Sequence, residues 1–374
     1  MKLKQGNTEI VKQELWQDKF RLDLYGLLKK NAVPILFAVI CIIGSYFAKL
    51  PLKFLLNFII IRMCRNSFLV LSLIIPVLAG LGLNFGIVLG AMAGQIAVIA
   101  ITYWEIKGIV GFALAALLAL PLAIIFGWLT GMLFNRAKGK EMIAGLILGF
   151  FANGIYQLVF LFFVGTIIPM KNEYMLLSTG VGLRNSVNLK GIHYALDKIL
   201  EVRISGLEFP VVTIVCIIIL CLAIWFLFKT KLGQEFRSVG QSRQIAGVSG
   251  IKVDKIRIIA TIFSTVLAAW GQLIFLQNLG TLNTYGSHVQ VGTFAVAALL
   301  IGGASVTRAT IGQALLGTFL FHTLFIISPL AGKNMLGNAQ VGEYFRAFVA
   351  YGVIGISLAL YAWQSSSKKR TVEE

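Results

Sequence analysis

This sequence has unusually few charged residues. Only 13% of its 374 residues are Asp, Glu, Lys or Arg, whereas a soluble domain usually carries about a quarter. An apolar run of about 18 residues is long enough to cross a bilayer as a helix. Because the charge-free runs here are that long or longer, the composition predicts an all-α, polytopic membrane protein. These runs are Ala32–Ala48, Asn66–Trp104, Gly108–Asn135, Met142–Met170, Phe209–Phe228, Ile258–Thr307, Ala309–Gly332 and Ala347–Ser367.

The charge-free runs have room for about ten transmembrane helices, some of them broken or half-spanning. We place them near residues 33–49, 67–83, 85–104, 108–134, 142–168, 209–229, 257–279, 290–304, 309–328 and 346–364. Most of the 33 Lys and Arg residues then lie on the side of both termini, which the positive-inside rule makes cytoplasmic. Segment 50–66 fits badly because Arg62 and Arg65 would be outside. We expect it to lie along the membrane interface, unless the first span is misplaced.

This topology divides the chain into three parts. Residues 1–32 form a cytoplasmic N-terminal segment, residues 33–364 the transmembrane domain, and residues 365–374 a cytoplasmic tail. Within the domain, 169–208 is a long extracytoplasmic segment, in which "YALDKILEV" is expected to form an amphipathic helix. Residues 230–256 are the longest interior cytoplasmic loop.

Catalytic and metal-binding motifs are also missing. A phosphate-binding loop needs Ser or Thr after its Gly-Lys pair, but Lys140 and Lys333 are followed by Glu141 and Asn334. There is no Gly-x-Ser-x-Gly elbow and no His-Glu-x-x-His helix. The four cysteines lack paired metal-ligand spacing and are interpreted as small apolar fillers. We therefore predict no catalytic residue, no metal site and no cofactor in this chain. The net charge of +18 indicates contact with inner-leaflet lipids rather than nucleic acid.

The predicted spans contain no carboxylate, and His322 is the main ionisable residue within them. Carriers driven by an ion gradient commonly keep an Asp, Glu or His in their spans to bind that ion. The pattern therefore favours an energy source outside the spans. An ion-coupled carrier using His322 with the amides of 272–278 stays an alternative, as does a membrane scaffold or membrane enzyme.

Neutral amides are the main polar groups left at membrane depth. An unpaired polar group in hydrocarbon is costly, so each amide needs a partner or water. They either join neighbouring helices or line a path for a neutral, hydroxyl-rich or heterocyclic solute, and both interpretations stay open. The candidates for such a path are Asn84, Gln95, Asn153, Gln157, Gln272, Gln277 and Asn278.

Loop 230–256 interrupts the apolar sequence with "TKLGQEFRSVGQSRQIAGVSGIKVDKI". We expect a turn or two of helix in Gln234–Gln241 and again in Arg243–Val248, punctuated by glycine. Small residues such as Gly240 let backbones approach closely, and arginine offers directed hydrogen bonds. The loop therefore suits docking against a cytoplasmic partner, although a merely solvated basic loop has the same composition.

The stretch "FRSVGQSRQIAGVSGIKVDKIRIIATIFSTVLAAWGQ" resembles the coupling segment of permease subunits in the ribose-type, or simple-sugar and branched-chain amino acid, family of ABC importers. "VGTFAVAALLIGGASVTRATIGQALLGTFL" is similar to that family's Ala-rich block. "LAGLGLNFGIVLGAMAGQIAVIA" is similar to an earlier block, with Asn84 where sugar permeases often have Asp. The sequence departs from the coupling motif at Ser238, Ser242 and Ile245. It matches at Arg237, Gly240, Ala246, Gly250, Ile251 and Ser264.

The resemblance, which covers most of 67–330, implies a permease subunit in the cytoplasmic (inner) membrane of a prokaryote. It implies import of a small polar solute, and the lack of intramembrane charge favours a sugar, nucleoside or related vitamin over a branched-chain amino acid. ATP and magnesium would be held by a separate ATP-binding subunit. A second permease copy or a related permease would complete the membrane part. An extracytoplasmic solute-binding protein would meet segments 169–208 and 280–292.

The same resemblance makes 230–256 the coupling loop, the segment on which the ATP-binding subunit would dock. We expect Gly240→Trp to block that docking while leaving the fold intact. The residues implied in docking are Arg237, Gly240, Arg243, Ala246, Gly250 and Ile251.

Overall fold

The computed structural model describes residues 31–170, 172 and 174–373. The predicted N-terminal segment 1–32 lies outside these residues except for its last two positions. Helices dominate the described chain, as expected for an all-α membrane protein. They are α1 (Ala32–Ala48), α2 (Leu52–Ser72), α3 (Ile74–Leu78), α4 (Ile87–Tyr103), α5 (Gly108–Arg136), α6 (Glu141–Leu158), α7 (Val211–Leu227), α8 (Lys231–Gln241), α9 (Arg243–Val248), α10 (Val253–Leu279), α11 (Ser287–Ile301), α12 (Ile311–Leu336) and α13 (Ala339–Glu373).

Short additional elements lie between the helices. A π-helical turn, Val159–Phe163, continues α6. Two small antiparallel sheets are formed by β1 with β4 and by β2 with β3. Their strands are β1 (Ser186–Asn188), β2 (Glu201–Ile204), β3 (Leu207–Pro210) and β4 (Thr281–Asn283).

Local sequence signals set several helix ends. The hydroxyl of Thr230 accepts the backbone N–H of Gly233 at 3.3 Å, and this bond caps the start of α8. Ser242 caps α9 in the same way through Ile245, also at 3.3 Å. At the other end of α10, Gly280 adopts a φ of +68°, a left-handed conformation that glycine adopts without steric cost.

The bundle has two distinct ends. At one, which we call the loop end, the coupling loop meets the turn after α3, and Arg243 contacts Glu141 at the start of α6. At the other, the sheet end, both sheets lie, and Gly108 donates to the Gly191 carbonyl at 2.7 Å. Helix α10 joins the two ends with 27 residues, which corresponds to about 40 Å.

Among the described residues, five helical segments are long and apolar enough to cross a membrane. A sixth results if α7 and α8, which meet at a bend of 72°, count as one span. The shorter apolar helices α1, α4 and α11 add to the membrane-embedded mass. The chain is thus a multi-pass membrane protein, and the ten spans with cytoplasmic termini stay a prediction. The five segments are Leu52–Leu78, Gly108–Arg136, Glu141–Phe163, Val253–Leu279 and Ile311–Leu336.

For 50–66 the structure favours the alternative of a misplaced span, because these residues belong to the candidate membrane span Leu52–Leu78. Helix α2 begins at Leu52 and ends at Ser72, within the residues 67–83 that were assigned to the following span. The error came from Arg62 and Arg65, which were expected to require water. Arg65 instead donates to Asn278 at 3.4 Å and lies 5.2 Å from the centre of the Phe275 ring, so protein groups surround its charge.

Two further expectations differ from the structure, one for the segment "YALDKILEV" and one for the C-terminal tail. "YALDKILEV" forms turns followed by β2 rather than an amphipathic helix. Its first residue, Tyr194, has a left-handed φ of 56°, and Val202 pairs with Phe209 of β3. In addition, α13 continues to Glu373, so the predicted tail 365–374 begins inside a helix.

Candidate coupling loop and translocation path

The two predicted helices of the coupling loop are present as α8 and α9. In α8, the buried residues Gly233, Phe236 and Val239 recur every three positions and therefore share one face. That face packs with Ile75 of α3 and Phe134 of α5 in a separate hydrophobic cluster. The loop is therefore attached to the bundle through its own small core and is not merely a solvated segment.

Gly240 holds the loop against the turn that follows α3. A Cβ atom on Gly240 would collide with the Leu78 carbonyl oxygen, and one on Gly80 would lie 2.8 Å from the Gly240 Cα. This close backbone approach corrects the expectation for Gly240→Trp. The indole would separate the loop from its own bundle instead of leaving the fold intact.

The outward surface of the loop is the apolar tip of α9. Ile245 is 70% exposed and Val248 is 92% exposed, and neither was among the predicted docking residues. Gly247 and Gly250 beside them have open space where a Cβ would be. These two exposed, branched side chains form a small apolar patch that a partner can bury.

The predicted docking residues divide between this surface and the interior. Arg237 and Gly250 are exposed, whereas Arg243 and Ile251 are half-buried and Ala246 is buried. The guanidinium of Arg237 lies 5.4 Å from the centre of the Phe228 ring. The prediction relied on small and charged residues. These residue types indicate close packing and hydrogen bonding, but they do not show which of them face the bundle and which face outward.

A charged cluster fixes the loop from the other side. Glu141 Oε1 accepts hydrogen bonds from Arg243 Nη2 and Arg257 Nη2, each at 2.6 Å. Glu141 is buried and Arg257 is 1% exposed. Arg243 also donates to the Gly80 carbonyl and Arg257 to the Phe134 carbonyl, at 3.2 and 3.3 Å. We call Glu141, Arg243 and Arg257 the Glu141 cluster.

The Glu141 cluster joins residues that are distant in the sequence. Arg243 and Arg257 each follow Glu141 by more than 100 residues. A buried carboxylate is tolerated when paired cations and further hydrogen bonds offset its desolvation. The Gly139 N–H adds such a bond at 3.1 Å, and the N-terminal end of α6 favours negative charge. In the sequence, the one signal for this cluster is an acidic residue just before a predicted span.

A neutral network lies deeper, where α4, α6 and α11 meet. His288 Nε2 lies 2.9 Å from Asn153 Oδ1, and His288 Nδ1 lies 3.3 Å from Gln95 Oε1. Gln95 Nε2 donates to the Tyr156 hydroxyl at 2.8 Å and also to the Thr284 carbonyl. The rings of Tyr156 and His288 are tilted with centres 4.8 Å apart. These four residues, Gln95, Asn153, Tyr156 and His288, form the His288 network.

A narrow crevice of about 60 Å³ lies one helical turn from this network, toward the loop end. Its walls come from α4, α6 and α11 and include Val88, Phe150 and Val289. Gly149 and Gly292 line it one turn from Asn153 and His288 respectively. The crevice is far smaller than the roughly 300–1,000 Å³ of a typical small-molecule pocket, so by itself it does not define a solute site.

Other predicted path residues join helices instead. Asn84 donates to Ser264 at 3.1 Å, and Gln272 donates to Ser287 at 3.2 Å. Both amides are fully buried. Within the described chain, Asn84 Oδ1 and Gln272 Oε1 have no hydrogen-bond partner. Gln157 is exposed on the outer face of α6.

Two further predicted residues hold the sheet-end segment onto α10. Asn278 donates to Asp197 Oδ2 at 2.7 Å, and Thr213 donates to Asp197 Oδ1 at 2.5 Å. The neighbouring Gln277 side chain accepts the backbone N–H of Leu196 at 3.3 Å. Among the seven predicted amides, only Gln95 and Asn153 share one network.

The amides suggested for an ion-coupled carrier have separate hydrogen-bond partners. His322 is buried beside Phe321, with ring centres 5.2 Å apart. Its Nδ1 has no hydrogen-bond partner among the described residues. Gln272 bonds instead to Ser287, and Gln277 to the sheet-end segment.

Comparison with known proteins gives the family. Residues 51–358 match the family model described as "Branched-chain amino acid transport system / permease component". The chain therefore belongs to this family of permease components. Its members are permease subunits of ABC transporters, in which a separate subunit hydrolyses ATP, and this finding does not favour the ion-coupled alternative.

Individual relatives agree with this class. The autoinducer 2 import system permease protein LsrC of Photorhabdus luminescens is 28% identical over 333 residues, covering 88% of this chain and 90% of that protein. LsrC of Yersinia pestis is 28% identical over 282 residues, covering 71% and 72%. The nucleoside ABC transporter permease protein NupC of Lactococcus lactis subsp. cremoris is 26% identical over 258 residues, covering 66% and 75%. No solved structure matches the chain.

Proposed function

We propose that this permease subunit imports a small neutral solute of the nucleoside or sugar class across the inner membrane. An ATP-binding subunit docks on the coupling loop and supplies the energy. The observation that carries this proposal is the exposed apolar tip of α9, with Ile245 and Val248 outward, on a loop whose buried face is attached to the bundle. A surface built in this way can transmit a push to the helices behind it.

The chemistry of the His288 network supports the solute class. Two amides, a phenol and an imidazole can exchange hydrogen bonds with hydroxyl groups or with the edge of a heterocycle. Gln95, Asn153 and His288 carry no fixed opposite charges, so they do not suit the separated charges of a free amino acid. The names of LsrC and NupC, which refer to autoinducer 2 and to nucleosides, point the same way.

The exposed face of α6 supports a paired permease. Gln157 is exposed there and Asn153 is half-buried, beside the strongly exposed Phe150. Amides facing lipid are unfavourable, because hydrocarbon offers no hydrogen-bond partners. A second permease copy or a related permease would cover this face, with the solute passing alongside it. A solute-binding protein would meet the sheet end.

Reconstitution tests the proposal. The chain is placed in proteoliposomes with its genomically neighbouring ATP-binding subunit and solute-binding protein, and uptake of labelled uridine, adenosine, ribose and leucine is measured with and without ATP. We expect ATP-dependent uptake of uridine, adenosine or ribose. Uptake that ignores ATP but is abolished by an uncoupler would contradict the proposal, as would ATP-dependent uptake of leucine alone.

A further inference from the structure

The coupling loop contacts the bundle in two physically different ways. The α8 core and the Gly240 contact are apolar or backbone packing, which has little directional preference. The Glu141 cluster is a set of short, charge-assisted hydrogen bonds, which fix both distance and angle. The second kind adds a directional restraint on the orientation of the loop while its outer tip is being pushed.

We propose that Glu141 is a positioning residue for energy coupling. Its carboxylate fastens the coupling loop to α6 and α10, so that these elements move as one body when the ATP-binding subunit displaces α9. This inference rests on the proposed function and adds to it the residue through which the motion passes. Glu141 itself contacts neither nucleotide nor solute.

The position of Glu141 in the fold makes it suited to this role. It is the first residue of α6, and Asn153 follows on the same helix after 12 residues, or about 18 Å. Arg257 lies just after the start of α10, and the same helix carries Gln272 toward the sheet end. The cluster therefore joins the docking loop directly to a helix of the His288 network.

The cluster has unequal members, and that inequality suggests how it can be tested. Arg257 is 1% exposed, whereas the Arg243 side chain is 32% exposed. Each arginine also has a backbone carbonyl partner. If Glu141 loses its charge, those carbonyl bonds, the α8 core and the Gly240 contact remain. We therefore expect the loop to stay folded and docked but to lose its fixed orientation toward α6.

The experiment follows the motion of α6 directly. The chain is purified in nanodiscs with its ATP-binding subunit, the four native cysteines are replaced by alanine, and an environment-sensitive fluorophore is attached to Phe151→Cys. Phe151 is 66% exposed and lies beyond the crevice on α6. The fluorescence change on adding ATP and vanadate is recorded, together with co-purification and the rate of ATP hydrolysis.

Three variants are compared with the parent chain. Glu141→Gln keeps an acceptor oxygen and removes the charge; we expect the fluorescence change to fall at least about fivefold, the lower end of typical intersite coupling, with co-purification retained. Arg243→Gln, which leaves the Glu141–Arg257 pair intact, should lose the signal too. Glu235→Gln is the matched control, since Glu235 is on α8 and forms no ion pair within the described residues.

A charge swap separates positioning from mere folding. Glu141→Arg with Arg243→Glu keeps two cations and one carboxylate in the cluster, and we expect it to regain part of the signal lost in Glu141→Gln. A Glu141→Gln or Arg243→Gln complex that is assembled and gives the parent signal would overturn this inference alone. A parent chain that does not bind the ATP-binding subunit would overturn the proposed function, and this inference with it.

Discussion

At the loop end of the bundle a carboxylate lies between two guanidinium groups, whereas nearer the sheet end an imidazole lies between two amides. Both sites bury polar side chains from three elements and satisfy most of their hydrogen bonds. They differ in charge. A charged side chain becomes more costly toward the centre of a membrane. Glu141 is the first residue of α6, whereas Asn153 and Gln95 lie well inside α6 and α4.

The difference also suits two kinds of work. Charge-assisted hydrogen bonds are roughly twice as strong as neutral ones, so the Glu141 cluster favours a fixed geometry. Hydrogen bonds between neutral side chains within membranes contribute only about 1 kcal/mol each. A passing solute can break such a bond and replace it with a bond to one of its own hydroxyl groups. The charged site therefore suits transmission of force, and the neutral site suits transient contact.

Among these variants, Gly240→Val should have the largest effect, because it separates the coupling loop from the bundle. The added side chain collides with the Leu78 carbonyl, and we expect a loss of more than about 3 kcal/mol of stability, the upper part of the range for overpacking. Thermal unfolding followed by fluorescence-detected size exclusion measures it. Gly247→Val is the control, since a Cβ there meets no atom within 4 Å. Equal melting of the two variants would refute the contact.

Arg257→Met tests the charged site next. Breaking a buried ion pair by removing one partner usually costs about 3–5 kcal/mol, and we expect the lower value because Glu141 keeps Arg243. Arg243→Met should cost about 1 kcal/mol, since that side chain is one-third exposed and solvent screens it. Thermal unfolding of the two variants in the same detergent gives the order. A larger loss for Arg243→Met would contradict the assigned burial.

Val248→Asp leaves both buried sites intact and removes only the exposed tip. The side chain is 92% exposed, so stability of the isolated chain should not change. Affinity for the ATP-binding subunit should fall by about 2 kcal/mol, or about 30-fold, as for an interface hot spot. Biolayer interferometry in detergent measures the affinity. Gln241→Asp adds the same charge at an exposed position of α8, and an equal loss there would indicate general repulsion instead of docking by the apolar tip.

Asn153→Leu should have the smallest thermodynamic effect, about 1 kcal/mol, as expected for one neutral hydrogen bond in a membrane. Its bond to His288 is lost, and we expect uptake of uridine, adenosine or ribose to fall while docking and ATP hydrolysis continue. Uptake into proteoliposomes measures the change. Gln290→Leu, at an exposed amide of α11 outside the His288 network, is the matched control. If both variants lower uptake equally, the solute contact would have to extend along α11 beyond that network.

The sequence predicted features that depend on local composition. Charge-free runs identified a multi-pass helical protein, and glycine-punctuated polar segments identified α8 and α9, because helix formation in each case is decided within a few residues. Gly240 was recognised as a site of close backbone approach. Its partner was not, since small size does not say whether the neighbour is the Leu78 turn of the same chain or another subunit.

The rest depended on contacts between distant segments. Glu141 was placed one residue outside a span, although its two arginines approach it only when α8, α9 and α10 are folded beside α6. Arg65 was assigned to the surface because a lone charge in a membrane-spanning helix is unfavourable, yet its guanidinium donates a hydrogen bond to the Asn278 side chain. His288 and Asn153 were both visible as polar residues, but their 2.9 Å contact follows from helix packing that no local pattern encodes.

The 72° bend between α7 and α8 has a mechanical consequence for an importer. Thr230 caps α8 while its hydroxyl also donates to the Leu227 carbonyl at 2.6 Å. Lys229 lies 3.5 Å from the centre of the Trp225 ring, so side-chain contacts support the corner on both sides. A thrust delivered to α8 then acts on α7 as a torque about that corner rather than as compression along its axis. The inner end of the helix should swing sideways, and the length of α7 sets how far the outer end travels in return.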